Sequence, residues 1–306
     1  MNRIDPYPVK TIQEFHRLHG LSQPSHPLIS VVSYPDLHRD NYGNIDRLLL
    51  GIYVISLKRG VNKLYYGQQE YDFDEGVLYF MAPGQMLKVN HSLNDASARS
   101  GWLLLIHPDF LWNSHLLKSI KHYDFFEYDV HEALFLSDKE EKILNDIIAN
   151  IKNEYSANID AYSKYIILSH IETLLSYSER FYNRQFITRE KKHHDLLDKL
   201  NHILEDYFKD SSVILKGLPT VQYLAEELHV SPGYLGKMLR MVSGQSTQQH
   251  IQHFIIDKAK ELLSTTDLTV SEIAYSLGFE HPQSFSKLFK VQTHQTPLQF
   301  RKSFMA

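Results

Sequence analysis

The sequence contains no cysteine, so disulfides, thiol nucleophiles, thiolate metal sites and cysteine redox switches are excluded together. It is also short of long apolar runs. None approaches the ~18 residues of a membrane-spanning helix, and Trp102 to Ile106 is a candidate for a buried strand. The first ten residues carry two prolines and an aspartate in place of an apolar signal core, which predicts no secretory leader. Together with the absent cysteines, this gives a cytoplasmic expectation. Charge of one sign is lacking too: 32 Lys and Arg stand against 36 Asp and Glu, a net charge of −4. From Gly217 onward, eight cations face seven carboxylates, so that third is close to +1. Any nucleic-acid interaction must therefore rest on where the cations sit, not on a broad positive field.

What is present is an ordinary globular composition, 43% hydrophobic and 22% charged, over 306 residues, which predicts about two domains. Up to residue 110 the pattern is β-rich. Predicted strands are Leu28–Ser33, Leu48–Leu57, Leu64–Gly67, Val77–Met81, Met86–Val89 and Gly101–His107. Turn-formers separate them, such as Tyr34-Pro35-Asp36, Asp72–Gly76 and Ala82-Pro83-Gly84-Gln85. The period then changes to that of helices. Ser137 and Glu140 form a capping-box pair ahead of the stripe Ile143, Leu144, Ile147, Ile148, Ile151. A second helix, about 159–184, carries Ile167, Ile171, Leu174, Leu175, Ser178 and Phe181 with Tyr182 beside it, a stripe long enough for a dimer interface, with packing against the barrel or the helix at 138–154 as the equal alternative. A third, about 191–208, carries Leu196, Leu197, Leu200, Ile203, Leu204 and Tyr207. Asp210–Gly217 reads as a linker.

From Val221 the chain repeats itself with a period of about 50 residues. VQYLAEELHVSPGYLGKMLR aligns with VSEIAYSLGFEHPQSFSKLFK from Val270, His281 being one extra residue. Each copy reads as helix, tight turn, helix. Thr220 and Thr269 are the predicted caps of the first helices, Glu272 completes a capping box, Gly278 is a stop, and Pro232 and Pro282 occupy first helical positions. On the second helix of copy one, Tyr234, Leu235, Met238 and Leu239 are the predicted buried side, leaving Gly233, Gly236, Lys237 and Arg240 outward. Copy two buries Phe285, Leu288 and Phe289 and exposes Gln283, Ser284, Ser286, Lys287 and Lys290. Neither outward face has a carboxylate and both end in cations, which is what a phosphate-lined groove requires. A solvated face is the bland alternative for one helix and a poor one for two aligned copies. Thr247–Leu263 is predicted as one spacer helix of ~25 Å.

Asp257 to Lys290, DKAKELLSTTDLTVSEIAYSLGFEHPQSFSKLFK, with TPLQFR from Thr296, resembles the signature of AraC-type transcriptional regulators. The resemblance covers about Leu218 to Phe304. It implies two helix-turn-helix motifs, promoter half-sites in double-stranded DNA as partner, and Arg301 at a family position. His294 departs from the pattern, standing where the family usually has glycine; its counterpart in copy one is Gly244. A histidine there must adopt a left-handed backbone at some cost. The resemblance implies for the N-terminal part a cupin-like β-barrel or sandwich that senses a small-molecule effector, then helices that dimerise. GWLLLIHPDFL at Gly101 and RFYNRQFITR at Arg180 resemble segments shared by one subgroup of these regulators.

The expected fold class is therefore α+β: a cupin-like sensor over 1–135, a helical dimerisation and linker segment over 136–210, and an all-α DNA-binding domain over 217–306. Tyr53, Tyr65, Tyr79, Met81 and Trp102, with Tyr66, are candidate ligand-lining residues on predicted strands, filling the barrel being the plainer role of each. No catalysis, metal or cofactor is expected. The strand region has no H-x-H pair, His16, His19, His26 and His38 lack ligand spacing, adjacent His193 and His194 diverge by about 100°, and there is no H-E-x-x-H, G-x-S-x-G or P-loop. The expected function is a homodimeric, sequence-specific regulator, touching RNA polymerase if it activates. The competing reading is a cupin-type binding protein or enzyme whose C-terminal helices serve protein interaction.

Overall fold

The computed structural model describes residues 6–38, 45–59, 76–88, 100–128, 132–156, 160–188, 190–210 and 213–304. They form two compact units, Met1–Gln185 and Phe186–Ala306. No helix among the described residues is long and apolar enough to cross a membrane.

The first unit holds eight described strands in two sheets. One has the order β1-β3-β6, from β1 (Tyr7–Val9), β3 (Arg47–Leu50) and β6 (Met86–Lys88). The other has the order β2-β7-β4-β5-β8, from β2 (Ile29–Ser33), β7 (Ser100–Ile106), β4 (Tyr53–Arg59), β5 (Gly76–Met81) and β8 (Leu134–Leu136). The five-stranded sheet is antiparallel throughout, and its registers sort side chains onto two faces. Leu103 opposes Val32 and Ser56, and Ser56 opposes Tyr79, so these residues share one face. Val32, Val54, Leu103 and Leu105 of that face join Val9, Leu48 and Leu50 of the smaller sheet in one buried apolar cluster. Trp102 and Arg59 lie on the opposite face. There α3 (Asp138–Ser156) covers them: Trp102 Nε1 donates to Asn145 Oδ1 at 2.8 Å, and Arg59 bridges Asp138 at 2.8 Å and Glu141 at 2.6 Å.

Two sequence expectations in this unit are revised. The single predicted strand Leu48–Leu57 is two strands in different sheets, broken at Gly51 and Ile52. Gly51 N–H donates to Val9 O at 2.7 Å, and a Cβ there would stand 3.1 Å from the Lys10 Cα. Glycine thus lets β1 approach, and that approach turns the chain. The β-rich segment also contains α1 (Ile12–Leu18), which the sequence reading passed over although Thr11 and Glu14 form a reciprocal capping box, and the short α2 (Leu116–Ser119) follows β7.

A third revision concerns α4 (Ser163–Thr188). Its stripe is interior: Ile167, Ile171, Leu174, Leu175 and Phe181 are all buried, Leu174 completely. Tyr182 stacks on Phe125, Gln185 bonds the backbone of Phe135 and Ala133, and Arg184 pairs with Glu140. The stripe is therefore core, and its reading as a dimer interface is withdrawn.

The second unit is all helical: α5 (Glu190–Lys209), α6 (Val213–Lys216), α7 (Val221–Glu227), α8 (Pro232–Ser243), α9 (Thr247–Thr265), α10 (Val270–Ser276), α11 (Pro282–Thr293) and α12 (Pro297–Phe304). The segment read as a linker, Asp210–Gly217, contains α6 and is docked. Val213 is buried, and Tyr207 hydroxyl donates to Gly217 O at 2.9 Å. α5 packs on α7 and α8, with Leu200, Leu204 and Tyr207 buried.

Candidate nucleic-acid interface

Two helix pairs, α7–α8 and α10–α11, repeat one design. Thr220 Oγ1 caps α7 by accepting from Tyr223 N–H, and Ser231 caps α8 by accepting from Tyr234 N–H. Thr269 and Glu272 form a full capping box on α10, and the Thr269 N–H and hydroxyl hold the Glu272 carboxyl below its ordinary range. Pro232 and Pro282 begin the longer helices, where a missing N–H costs nothing. α9 opens with a capping box of Ser246 and Gln249 and runs 19 residues between the pairs.

Each pair needs left-handed backbone at two places, after its short helix and after its long one. The first is held by His229 (φ 55°) in one copy and Gly278 (φ 85°) in the other. The second is held by Gly244 (φ 72°) and His294 (φ 61°). The expected αL geometry at His294 is present. His229 is its mirror, which the sequence reading missed; the alignment of His229 with Gly278 was the available signal.

The longer helices bury Leu235, Met238 and Leu239 in α8 and Phe285 and Phe289 in α11. Tyr234 is half-buried and packs on Phe186, with ring centroids 5.1 Å apart, and Leu288 is half-buried as well. Gln283, Ser284, Lys287 and Lys290 are exposed along α11 and Arg240 is exposed on α8, whereas Gly233, Lys237 and Ser286 are half-buried. Gly236 does not face outward freely, because a Cβ there would lie 3.7 Å from Thr247 Oγ1 at the start of α9. Arg301 is turned inward. Its Nε donates to Leu263 O at 3.2 Å and one terminal nitrogen is buried without a partner, so it ties α12 to α9 and is withdrawn from the outward cations.

In the first unit the candidate ligand residues do not converge. Tyr79 and Met81 lie on the sheet face toward the smaller sheet, and Tyr53 and Trp102 on the other. Tyr53 packs edge-on against Phe126, and Trp102 is engaged by Asn145. Tyr65, Tyr66 and the predicted strand Leu64–Gly67 lie outside the described residues. A cavity of about 120 Å³ opens elsewhere in this unit, lined in part by His26, Phe110, Tyr155 and Lys164, none of which the sequence reading selected as ligand-lining.

Residues 224–303 match the family described as a helix-turn-helix domain. This segment is an AraC-type helix-turn-helix domain, a DNA-binding class. The uncharacterized HTH-type transcriptional regulator YisR of Bacillus subtilis is 30% identical over 99 residues, 32% of this chain and 32% of that protein. The uncharacterized HTH-type transcriptional regulator YijO of Escherichia coli is 28% identical over 85 residues, 28% of this chain and 30% of that protein. The matches thus span about a third of these relatives, which are named as regulators and not as enzymes. The crystal structure of the C-terminal domain of the two-component response regulator yesN from Fusobacterium nucleatum is 34% identical. It covers 35% of this chain and 98% of that one, with a TM-score of 0.31.

Proposed function

We propose that the chain is a sequence-specific transcriptional regulator that reads double-stranded DNA with both helix pairs, each acting as a helix-turn-helix motif. The observation that carries this is the pair of carboxylate-free faces on α8 and α11, presented by helices of equal length that each begin with proline and end in a left-handed residue. A helix in the major groove meets acceptor-rich base edges and flanking phosphates, so side-chain donors without carboxylates suit it. Lys237, Arg240, Lys287 and Lys290 serve phosphates. Gln283, Ser284 and Ser286 face bases. Gly233 and Gly236 give α8 little to read with, so α11 supplies most of the sequence preference.

The first unit, a cupin-like sandwich in this reading, acts as sensor of a small-molecule effector. Two copies on two half-sites supply the affinity that a nearly neutral domain lacks, and contact with RNA polymerase follows if the protein activates. Its site of action is then the cytoplasm. The competing function, a cupin-type binding protein or enzyme with interaction helices, would not require two carboxylate-free faces. A mobility-shift titration of the full chain on the DNA upstream of its own gene tests the proposal. Salt-sensitive binding supports it, and absence of binding to any duplex favours the competitor.

A further inference from the structure

Asp160 lies three residues before α4, and Lys164 is in the first turn of that helix. They make no ion pair here, with each other or with any other described residue. Lys164 Nζ donates to Trp112 O at 2.9 Å and lies 6.0 Å from the Phe110 ring centroid. Asp160 Oδ1 accepts Tyr162 N–H at 2.7 Å, Ser163 N–H at 3.0 Å and the Ser163 hydroxyl at 3.3 Å, while Oδ2 has no hydrogen bond among the described residues. Both residues line the cavity of about 120 Å³, with Leu28, Phe110 and Ile167 as apolar wall and His26 as a further polar group. Leu28 N–H donates to His26 Nδ1 at 3.1 Å. Because Nδ1 accepts that N–H, the ring carries its proton on Nε2, and burial holds the His26 pKa below its ordinary value.

The cavity thus offers donors at one set of positions, an acceptor at another, and a short apolar wall. Its volume is below the ~300 Å³ of a drug-sized site and near the ~150 Å³ that holds a six-atom ring, so the occupant has about six heavy atoms. We propose that this cavity binds a small α-amino acid, its carboxylate on Lys164 and His26 Nε2–H and its ammonium on Asp160. Two opposite charges that line one cavity without pairing are then bridged by a ligand carrying both complements. The inference rests on the effector reading above and gives it a site and a ligand class. The site stands at the first turn of α4, and that helix runs 26 residues, ~39 Å, to Thr188, past the boundary between the two units at 185/186. Ligand held between Asp160, Lys164 and the walls at Leu28 and Phe110 fixes the helix at one end, and the DNA-binding unit begins near the other.

The test is calorimetric titration of the full chain with glycine, L-alanine and L-serine, beside propionate and ethylamine as single-charge controls. Saturable binding of at least one amino acid, with Kd on the order of 1 mM or tighter, is expected. The controls should bind about tenfold or more weakly, and Lys164→Met and Asp160→Asn should each weaken binding about tenfold. Both variants should stay folded, with melting temperatures within a few degrees of wild type, since Asn Oδ1 can accept the same Tyr162 and Ser163 N–H groups and Lys164→Met loses one exposed hydrogen bond while keeping its apolar stem. No saturable binding of any of the three, equal binding of propionate, or binding indifferent to both substitutions overturns the assignment. Failure of the effector reading looks different: the amino acid binds, yet affinity for DNA stays unchanged. Conversely, a DNA response to some other molecule that persists in Lys164→Met leaves effector sensing intact and removes this site.

Discussion

His294 closes α11 with the same left-handed backbone that Gly244 gives α8, φ 61° against 72°. Without a Cβ, glycine takes this conformation at no steric cost, whereas histidine pays for it. His294→Gly should therefore raise stability by ~0.5–1 kcal/mol in denaturant titration, part of the relief being offset by the freer unfolded chain. Gly278→Ala should do the reverse and more strongly. Its Cβ would stand 2.7 Å from Gly217 O in a backbone of φ 85°, which predicts a loss of ~2–4 kcal/mol. Equal, small effects of the two substitutions would contradict this.

Gly236 and Arg301 are predicted to matter for folding and not for DNA. A methyl group at Gly236 meets Thr247 Oγ1 at an ordinary 3.7 Å. Gly236→Ala should thus stabilise α8 by ~0.5–1 kcal/mol and leave binding unchanged. Arg301→Ala should lower the melting temperature with no change in the salt dependence of binding. Lys290→Ala should instead flatten the slope of log K against log salt by about one unit and weaken all duplexes alike. A change in slope on removing Arg301 would restore it to the interface.

Base preference is expected from α11. Gln283→Ala should relax discrimination at one base position by ~1–3 kcal/mol. A selection experiment on randomised half-sites reads this directly. Equal loss on cognate and scrambled DNA would show that Gln283 does not read bases.

Leu174 is completely buried, so Leu174→Glu should cost several kcal/mol and yield poorly folded protein, because an unpaired charge is forced into an apolar core. A soluble, well-folded monomer would mean that the stripe is an interface after all.

The DNA-binding unit should not fold well from residue 218. Leu200, Leu204 and Tyr207 of α5 are buried in it and Tyr207 anchors Gly217. A fragment starting at 186 should unfold cooperatively, and one starting at 218 should melt lower or not cooperatively. His250, which bonds Asn201 Oδ1 at 2.9 Å, adds a pH signature. Burial and then His253 lower its pKa below 6.5. The stability linked to its neutral form is therefore present above pH ~6.5 and is lost as pH falls through the folded value. Asn201→Ala should reduce the melting temperature of the 186–306 fragment. A fragment whose stability is flat between pH 8 and 5 would contradict the His250 assignment.

The second unit was legible because its signals are local. Caps at Thr220, Ser231 and Thr269, prolines at first helical positions and a repeat that aligns core with core each act within a few residues. The misreadings are long-range. Gly51 breaks a largely apolar run only because β1 arrives beside it. The stripe of α4 looks the same in sequence whether it meets its own sheet or a second copy. Arg301 sits on a cationic, exposed-looking turn until α9 offers the Leu263 carbonyl. Tyr53, Tyr79, Met81 and Trp102 share a composition but not a face, and strand parity decides that only once the registers are known.

The most direct measurement is fluorescence anisotropy of the full chain on the duplex upstream of its own gene, titrated at several salt concentrations, with wild type and a Lys287→Ala, Lys290→Ala double variant. Three exposed cations per copy, Arg240, Lys287 and Lys290, with half-buried Lys237 beside them, predict a slope of about −3 to −4 for each bound copy and a slope flatter by about two units in the variant. Binding that ignores salt, or a slope that the double substitution leaves unchanged, would contradict the assignment of these helix faces to DNA.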